Sequence, residues 1–401
     1  MTLSDSETRF TAPVALPCGL RLNHERAVEL ESRRTWPARI AAPFRAIGAA
    51  AEWIFGLASL VLLLAFLASI PVLNLLSLGY LLEAGGRVAR TGRVRDGFIG
   101  IRKAARIGGI VLGTWLLLWP LRMVSGLWKS AWLIDPESNA TSQLHLTLVV
   151  LTAVLVPHIL WAWWRGGRLR HFLWPAPVLF FKRMLRGGKL REARDGLWDF
   201  VCGLRLPYYF WLGLRGFVGT VVWLVVPVTL LAMASRLAGP LPAIVGLIGG
   251  VMLAVVLLYL PFLQMHFAAT GRLRAFRELG AVRRAFRGAP IAFWIALLAT
   301  LSFALPLYLL KIELVPRQVT WLPAVVFVLF ILPAKLLAGW AYGRGARRER
   351  PRHWIFRVTA RLGMIPLVAA YVFLTYFTQY LLWHGVWSLY EQHAFLVPAP
   401  F

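Results

Sequence analysis

Two amide side chains lie three residues after a proline inside apolar stretches. Asn74 follows Pro71, and Gln264 follows Pro261. A proline removes one backbone donor and clashes with the carbonyl four residues earlier, so it kinks or breaks a helix. An amide nearby can then hydrogen-bond the freed backbone group, or it can contact a ligand as in the broken helices of transporters. The sequence leaves both interpretations open.

Ionisable residues in the apolar stretches are few. Lys335 follows Pro333 by two residues and is expected to reach toward the cytoplasmic interface. Glu83 is placed near a cytoplasmic edge, so no proton-relay carboxylate is expected at mid-membrane, which disfavours an ion-coupled transporter. A packing or interfacial role is expected for His158, His266 and His384, which lie in three different stretches.

The sequence offers no set of residues for catalysis. It has no phosphate-binding loop, no zinc-binding or nucleophile motif, and no nucleophile beside a base and an orienting group. The two cysteines, Cys18 and Cys202, are too far apart in sequence to indicate a disulfide framework or a metal site. We therefore expect no cofactor, no metal and no enzymatic activity.

The elements around these residues have a membrane composition. The chain is 59% hydrophobic with only 15% charged residues, and its mean hydropathy is +0.66; soluble domains have about 25% charged residues. The net charge of +27 could indicate nucleic-acid binding. However, the arginines occur in short clusters between apolar runs, which is the pattern that orients membrane proteins. We expect no nucleic acid as a partner.

Hydropathy predicts an all-α fold, a polytopic transmembrane bundle with about eight or nine segments. The first apolar stretch is too long for one straight crossing and has basic residues on both sides. It is expected to double back near Pro71, as a helical hairpin or as one span with a re-entrant piece. The predicted segments are 49–84, 107–126, 145–164, 216–235, 241–268, 289–310, 320–342 and 362–388.

The charge pattern predicts the orientation. Residues 1–46 are expected to be a partly amphipathic cytoplasmic tail, residues 47–390 the transmembrane domain, and residues 391–401 a short non-cytoplasmic end. A basic, aromatic-rich loop at about 165–215 is expected at the lipid interface. All but six of the 44 Lys and Arg residues then face the cytoplasm; the exceptions are Arg122, Lys129, Arg236, Lys311, Arg317 and Lys335.

A spacing of ten residues between a proline and a Gly-Arg pair suggests an internal repeat. Pro157, Pro261 and Pro333 are each followed at that distance by glycine, and ten helical residues rise about 15 Å, half the hydrocarbon thickness. Pro71 is followed by a similar pair, Gly86-Arg87, at a distance of fifteen residues instead of ten. The arginines predicted at the cytoplasmic interface are Arg87, Arg168, Arg272 and Arg344. Separately, the Gly246 and Gly250 pair weakly indicates a close helix approach.

Residues 70–109, IPVLNLLSLGYLLEAGGRVARTGRVRDGFIGIRKAARIGG, resemble an uncharacterised bacterial membrane family, domain of unknown function 4013. The similarity lies in the proline, the Gly-Tyr pair and the arginine pattern, over about a tenth of the chain. It implies a bacterial multi-spanning membrane protein and implies no activity, cofactor or site residue.

These observations favour a non-catalytic structural or accessory component of the bacterial inner membrane, with its N-terminus in the cytoplasm. The alternative is a transporter or channel whose site is formed by proline-broken helices near mid-membrane. The partners expected are the lipid bilayer, with anionic headgroups at the basic cytoplasmic loops. A protein partner or a homo-oligomer is also possible, since the sequence decides neither.

Overall fold

A computed structural model describes residues 46–174, 198–304, 322–380 and 385–391. These residues are almost entirely helical and contain no strand, which confirms the all-α fold. The main helices are α1 (Ala46–Ala68), α2 (Asn74–Thr91), α3 (Ile101–Ile134), α4 (Asn139–Trp164), α5 (Leu169–Leu173), α6 (Leu206–Ala234), α7 (Leu241–Thr270), α8 (Leu279–Gly288), α9 (Pro290–Ser302), α10 (Leu322–Ala346), α11 (Trp354–Thr378) and α12 (Ser388–Glu391).

Within the described ranges, seven helices are long and apolar enough to cross a membrane: α1, α3, α4, α7, α10, α11, and the stretch Trp198–Ala234 that includes α6. The pair α8 and α9, bent by 112°, makes an eighth if it counts as one span. The chain is therefore a multi-pass membrane protein by length and composition, as the sequence predicts. The predicted N-terminal tail up to residue 45, the centre of the basic loop at 175–197 and the end of the chain at 392–401 lie outside the described residues.

The chain divides into two units, Met1–Ile54 and Phe55–Phe401. In the first unit the described residues, 46–54, are all helical. The second unit contains the hydrophobic core and every feature discussed below.

The first apolar stretch is interrupted at the expected place. Helix α1 ends at Ala68, α2 begins at Asn74, and the turn between them contains Pro71 and a left-handed Val72 at φ 71°. Leu67 of α1 and Leu76 of α2 line one groove, as expected for a hairpin. The side chain of Asn74 does not bond the freed backbone group as predicted. It is buried and has no hydrogen bond to the described residues, whereas the backbone N–H of Asn74 donates to Ile70 O at 3.0 Å.

Helix α2 is the centre of the core and is packed against α6, α7 and α10. Glycines permit this close packing. A Cβ at Gly79 would overlap the carbonyl of Tyr209, and a Cβ at Gly339 would overlap the carbonyl of Gly85. The glycine pair that the sequence indicated, Gly246 and Gly250, does not permit such a close helix approach. Added Cβ atoms at Gly246 and Gly250 would meet only ordinary van der Waals contacts, at 3.6 and 3.5 Å.

The prolines at the proposed repeat do not break their helices. Pro157 lies within α4, Pro261 within α7 and Pro333 within α10. A helix tolerates an internal proline when neighbouring helices and local adjustments satisfy the freed backbone groups. Of the four prolines proposed as breaks, Pro71 alone lies between helices.

Two of the Gly-Arg pairs lie inside helices. The pair at Gly86 is within α2, five residues before its last residue Thr91, and the pair at Gly343 is in the last turn of α10, which ends at Ala346. A common local geometry is found elsewhere. Gly92, Gly167 and Gly271 have φ values of 78°, 65° and 70°, and each precedes an extended arginine and a short helix. The repeat remains a prediction, with these glycines as its better landmarks.

Candidate functional site

A chain of polar side chains passes through the middle of the bundle. Lys335 on α10 donates to the side-chain oxygen of Gln264 on α7, and the Gln264 side-chain nitrogen donates to Thr220 Oγ1 on α6 at 2.7 Å. The hydroxyl of Thr220 in turn donates to Gly216 O at 2.7 Å. Lys335 is 4% exposed and the other two side chains are 0% exposed. We call these three residues the polar chain.

Lys335 is therefore placed differently from the sequence-based expectation. It points into the protein and does not reach the cytoplasmic interface. Within the described residues it pairs with no carboxylate, and its hydrogen bond goes to a neutral amide. An ammonium in such a place carries a desolvation penalty of several kcal/mol. A polar group of this kind inside a membrane bundle is by default a candidate functional residue.

A second polar cluster is centred on Glu83 of α2. One carboxylate oxygen accepts from Arg90 at 2.6 Å and lies 3.7 Å from the Arg87 guanidinium; the other accepts from the Tyr208 hydroxyl at 2.8 Å. Glu83 is only 5% exposed, so it is buried among the helices, and its position near the cytoplasmic edge stays a prediction. We call these four residues the Glu83 cluster.

A third cluster joins α7, α10 and the start of α8. His266 Nε2 lies 2.7 Å from Glu278 Oε2, and the Tyr342 hydroxyl lies 2.7 Å from His266 Nδ1. The hydrogen bond with His266 holds the pKa of the Glu278 carboxyl below its ordinary value, and nearby arginines add to this shift. His266 thus has a bridging role beyond simple packing.

The other predicted histidines do not enter these clusters. His158 Nε2 lies 2.8 Å from Phe172 O, and His384 lies outside the described residues. In the described part of the chain, no group of three or more His, Cys, Asp or Glu side chains is arranged to hold a metal ion.

Arginine side chains donate hydrogen bonds to the C-terminal carbonyls of neighbouring helices. Arg90 on α2 donates to Ala268 O near the C-terminus of α7, at 2.8 Å. Arg347, just after α10, donates to Ala89 O and Arg90 O at the end of α2, at 3.2 and 3.3 Å. The last carbonyls of a helix lack intrahelical partners and carry partial negative charge, so these cations stabilise them.

The four arginines predicted at the interface lie in two environments. Arg87 is half-buried beside Glu83, whereas Arg168, Arg272 and Arg344 are exposed. Arg344 lies over the Trp340 ring, 5.4 Å from its centre. The interfacial position of the exposed three stays a prediction, and Arg87 is part of the Glu83 cluster.

The structure brings together Gln264 and Lys335. The helix break at Pro71 is not part of this contact. Asn74 marks the turn after α1, while Gln264 belongs to the polar chain, so their equal spacing from a proline does not reflect a shared contact. Sequence reasoning missed Thr220, Tyr208 and Tyr342. Each is a common residue type in an apolar helix, and only the partner across the helix interface reveals its role.

No family model, curated protein or solved structure matches the chain. The class of protein is accordingly defined by the fold alone. It is an all-α, multi-pass membrane protein whose hydrophobic core contains a few clusters of buried polar side chains.

Proposed function

We propose that the chain is a non-catalytic structural or accessory component of the bacterial inner membrane. The resemblance of residues 70–109 to domain of unknown function 4013 and the arginine pattern are in line with this location and with a cytoplasmic N-terminus. The structural role is supported by the hydrogen bonds that the buried polar groups form with one another.

The observation that carries the proposal is the Glu83 cluster. Both oxygens of the carboxylate have protein partners, Arg90 on the same helix and Tyr208 on α6. Arg90 also binds Ala268 O on α7. The buried carboxylate links α2 to α6, and Arg90 extends the link to α7. Both carboxylate oxygens are therefore bonded to protein groups. Such a network favours a fixed, well-ordered bundle.

The test is reconstitution of the purified full chain into proteoliposomes. A scaffold should show neither solute flux nor turnover of lipid substrates, and it should be extracted from native membranes in a stable complex of defined composition. Catalytic turnover of a lipid or solute by the wild-type protein, absent from a heat-denatured sample, would overturn the non-catalytic role.

The second candidate is a transporter or channel, and the polar chain is the observation that favours it. A buried ammonium without a carboxylate partner among the described residues offers a binding point for an anion or a proton-linked step. Flux into proteoliposomes that disappears on Gln264→Ala and Lys335→Met would support this function. The matched control is Thr359→Ala, an exposed change on α11. No flux across a broad solute panel would count against it.

A further inference from the structure

A cavity of about 470 Å³ lies between α7, α8, α9 and α11. Its rim carries three arginines, two from α8 and one from α11, which are Arg283, Arg287 and Arg361. Its floor is aromatic: the rings of Phe262 and Phe293 stack at 4.2 Å, and Phe286 meets Phe293 edge-on at 5.8 Å. The cavity thus combines a strongly basic rim with an apolar floor.

The arginines of the rim have no countercharge. No acidic residue lines the cavity, and none of the three arginines forms an ion pair with an acidic residue of the described ranges. Arg283 is oriented by a hydrogen bond to the Tyr259 hydroxyl at 3.1 Å, and Arg361 lies 5.6 Å from the Phe286 ring centre. Three arginines that line one cavity without an acidic partner among the described residues suit an anionic ligand.

A neighbouring arginine points to the same conclusion. Arg357 lies four residues before Arg361 on α11, a spacing that places both on one helix face. Its Nε is buried and has no hydrogen-bond partner in the described structure. Arg357 does not line the cavity, so it adds positive charge on the same helix face and is not counted as a ligand contact.

The two helices of the rim are fixed relative to each other. The N–H of Arg352, just before α11, donates to Arg287 O at 2.8 Å, and Arg348 donates to Gly288 O at 3.2 Å. The arginines are therefore held by a preformed frame. This arrangement reduces the ordering cost of binding.

The floor of the cavity leads to the apolar exterior. Ile365, which lines the cavity, is 60% exposed, and Leu362 beside it is 62% exposed. In a multi-pass protein such residues face acyl chains. The basic helix α8 turns by 112° into the apolar helix α9, which is the arrangement of an amphipathic segment at a membrane interface.

We propose that this cavity binds an anionic phospholipid, with the phosphate between Arg283, Arg287 and Arg361 and an acyl chain along Phe286 and Ile365. The volume lies within the usual range of small-molecule sites, about 300–1,000 Å³. The inference goes beyond the scaffold role and requires only that the bundle lies in a membrane.

The test uses the purified full chain in detergent, with lipid adducts counted by native mass spectrometry. Phosphatidylglycerol is the anionic probe and phosphatidylcholine the neutral one. We expect saturable binding of phosphatidylglycerol, weakened about tenfold or more by Arg283→Gln with Arg287→Gln, since hydrogen bonds to charged groups are involved. The matched control is Arg168→Gln with Arg170→Gln, which removes the same charge from exposed positions after α4. Equal loss in both variants, or none in either, would overturn the proposal.

A second arm distinguishes a lipid from a free anion. Ile365→Ser should weaken phosphatidylglycerol binding and leave the effect of inorganic phosphate on thermal stability unchanged. If inorganic phosphate displaces phosphatidylglycerol at equal concentration, the site takes a free anion and the lipid assignment fails.

The third arm needs no variant. A photoactivatable phosphatidylglycerol should crosslink to peptides of α8 and α11 in the wild-type protein. Crosslinks confined to α3 and α4, whose apolar faces are widely exposed, would contradict the assignment.

Discussion

Lys335 and Gln264 are joined by a hydrogen bond inside the bundle, although 71 residues separate them in sequence. The amide oxygen is the acceptor that the ammonium has among the described residues, and the amide nitrogen is tied to Thr220. The stability of the core should therefore depend on this pair as a unit.

We expect Gln264→Leu to lower the free energy of unfolding by about 2–3 kcal/mol, because it leaves the buried amino group of Lys335 without its acceptor among the described residues. Lys335→Met should be close to neutral or stabilising, since it removes the desolvation penalty. The double variant should recover most of the loss. Denaturant titration in detergent measures all three, and strictly additive effects would contradict a coupled pair.

Glu83→Gln should be strongly destabilising, by about 3–5 kcal/mol, because Arg90 keeps its charge and loses its buried partner. The control is Asp96→Asn, which removes the exposed pair with Arg95, whose atoms are 3.9 Å apart. That change should cost about 0–1 kcal/mol. Similar losses in the two variants would show that Glu83 is more solvated than the structure indicates.

Gly79→Ala and Gly126→Ala should act in opposite directions. The first places a methyl group against the carbonyl of Tyr209, whereas nothing lies within 4 Å of an added Cβ at Gly126. We expect a loss of about 1–3 kcal/mol from overpacking at Gly79, and a gain of about 0.5–1 kcal/mol at Gly126 from helix propensity. Thermal unfolding of both variants in the same detergent checks the sign.

The pairing of Glu278 with His266 predicts acid sensitivity. The pKa of the Glu278 carboxyl is lowered in the folded protein, so the folded state binds this proton less readily than the unfolded state. The contribution is present above the unfolded pKa of about 4.3 and is lost as pH falls through the lower folded value. Glu278→Gln should flatten this acid limb of the melting temperature against pH. An unchanged limb would place the acid sensitivity elsewhere.

Reporter fusions test the proposed orientation. Fusions after Arg95 and after Arg350 should both report the cytoplasm, because both lie in basic loops. Fusions after Glu137, in the turn between α3 and α4, and after Ala238, between α6 and α7, should report the opposite side. Arg95 and Glu137 on the same side would refute the orientation.

The sequence predicted the elements more successfully than their contacts. The break at Pro71 and the positions of α3, α4, α7 and α10 follow from hydropathy and from the restricted backbone of proline. The burial of Glu83 was not predicted, because the charged residues around Arg87 indicate a helix end, whereas α2 continues to Thr91. The burial of Glu83 is compensated by Tyr208, which no local pattern connects with it.

The direction of the Lys335 side chain could not be predicted from the sequence either. A single lysine after a proline can point to the interface or into the bundle, and the direction depends on which helix faces it. Arg283 and Arg287 lie between the predicted segments 241–268 and 289–310, and Arg361 lies between 320–342 and 362–388, so no local pattern placed them at one cavity. Their convergence on an aromatic floor required the bend between α8 and α9.

Helix α2 carries three charged residues, Glu83, Arg87 and Arg90, yet it lies at the centre of the core. Tyr208 is synthesised 125 residues after Glu83, and Ala268 is synthesised 178 residues after Arg90. On the ribosome, α2 therefore emerges long before the residues of α6 and α7 that complete the hydrogen bonds of its charged side chains. It cannot enter lipid alone at low cost, so it must be sheltered until the second half of the polypeptide has been translated.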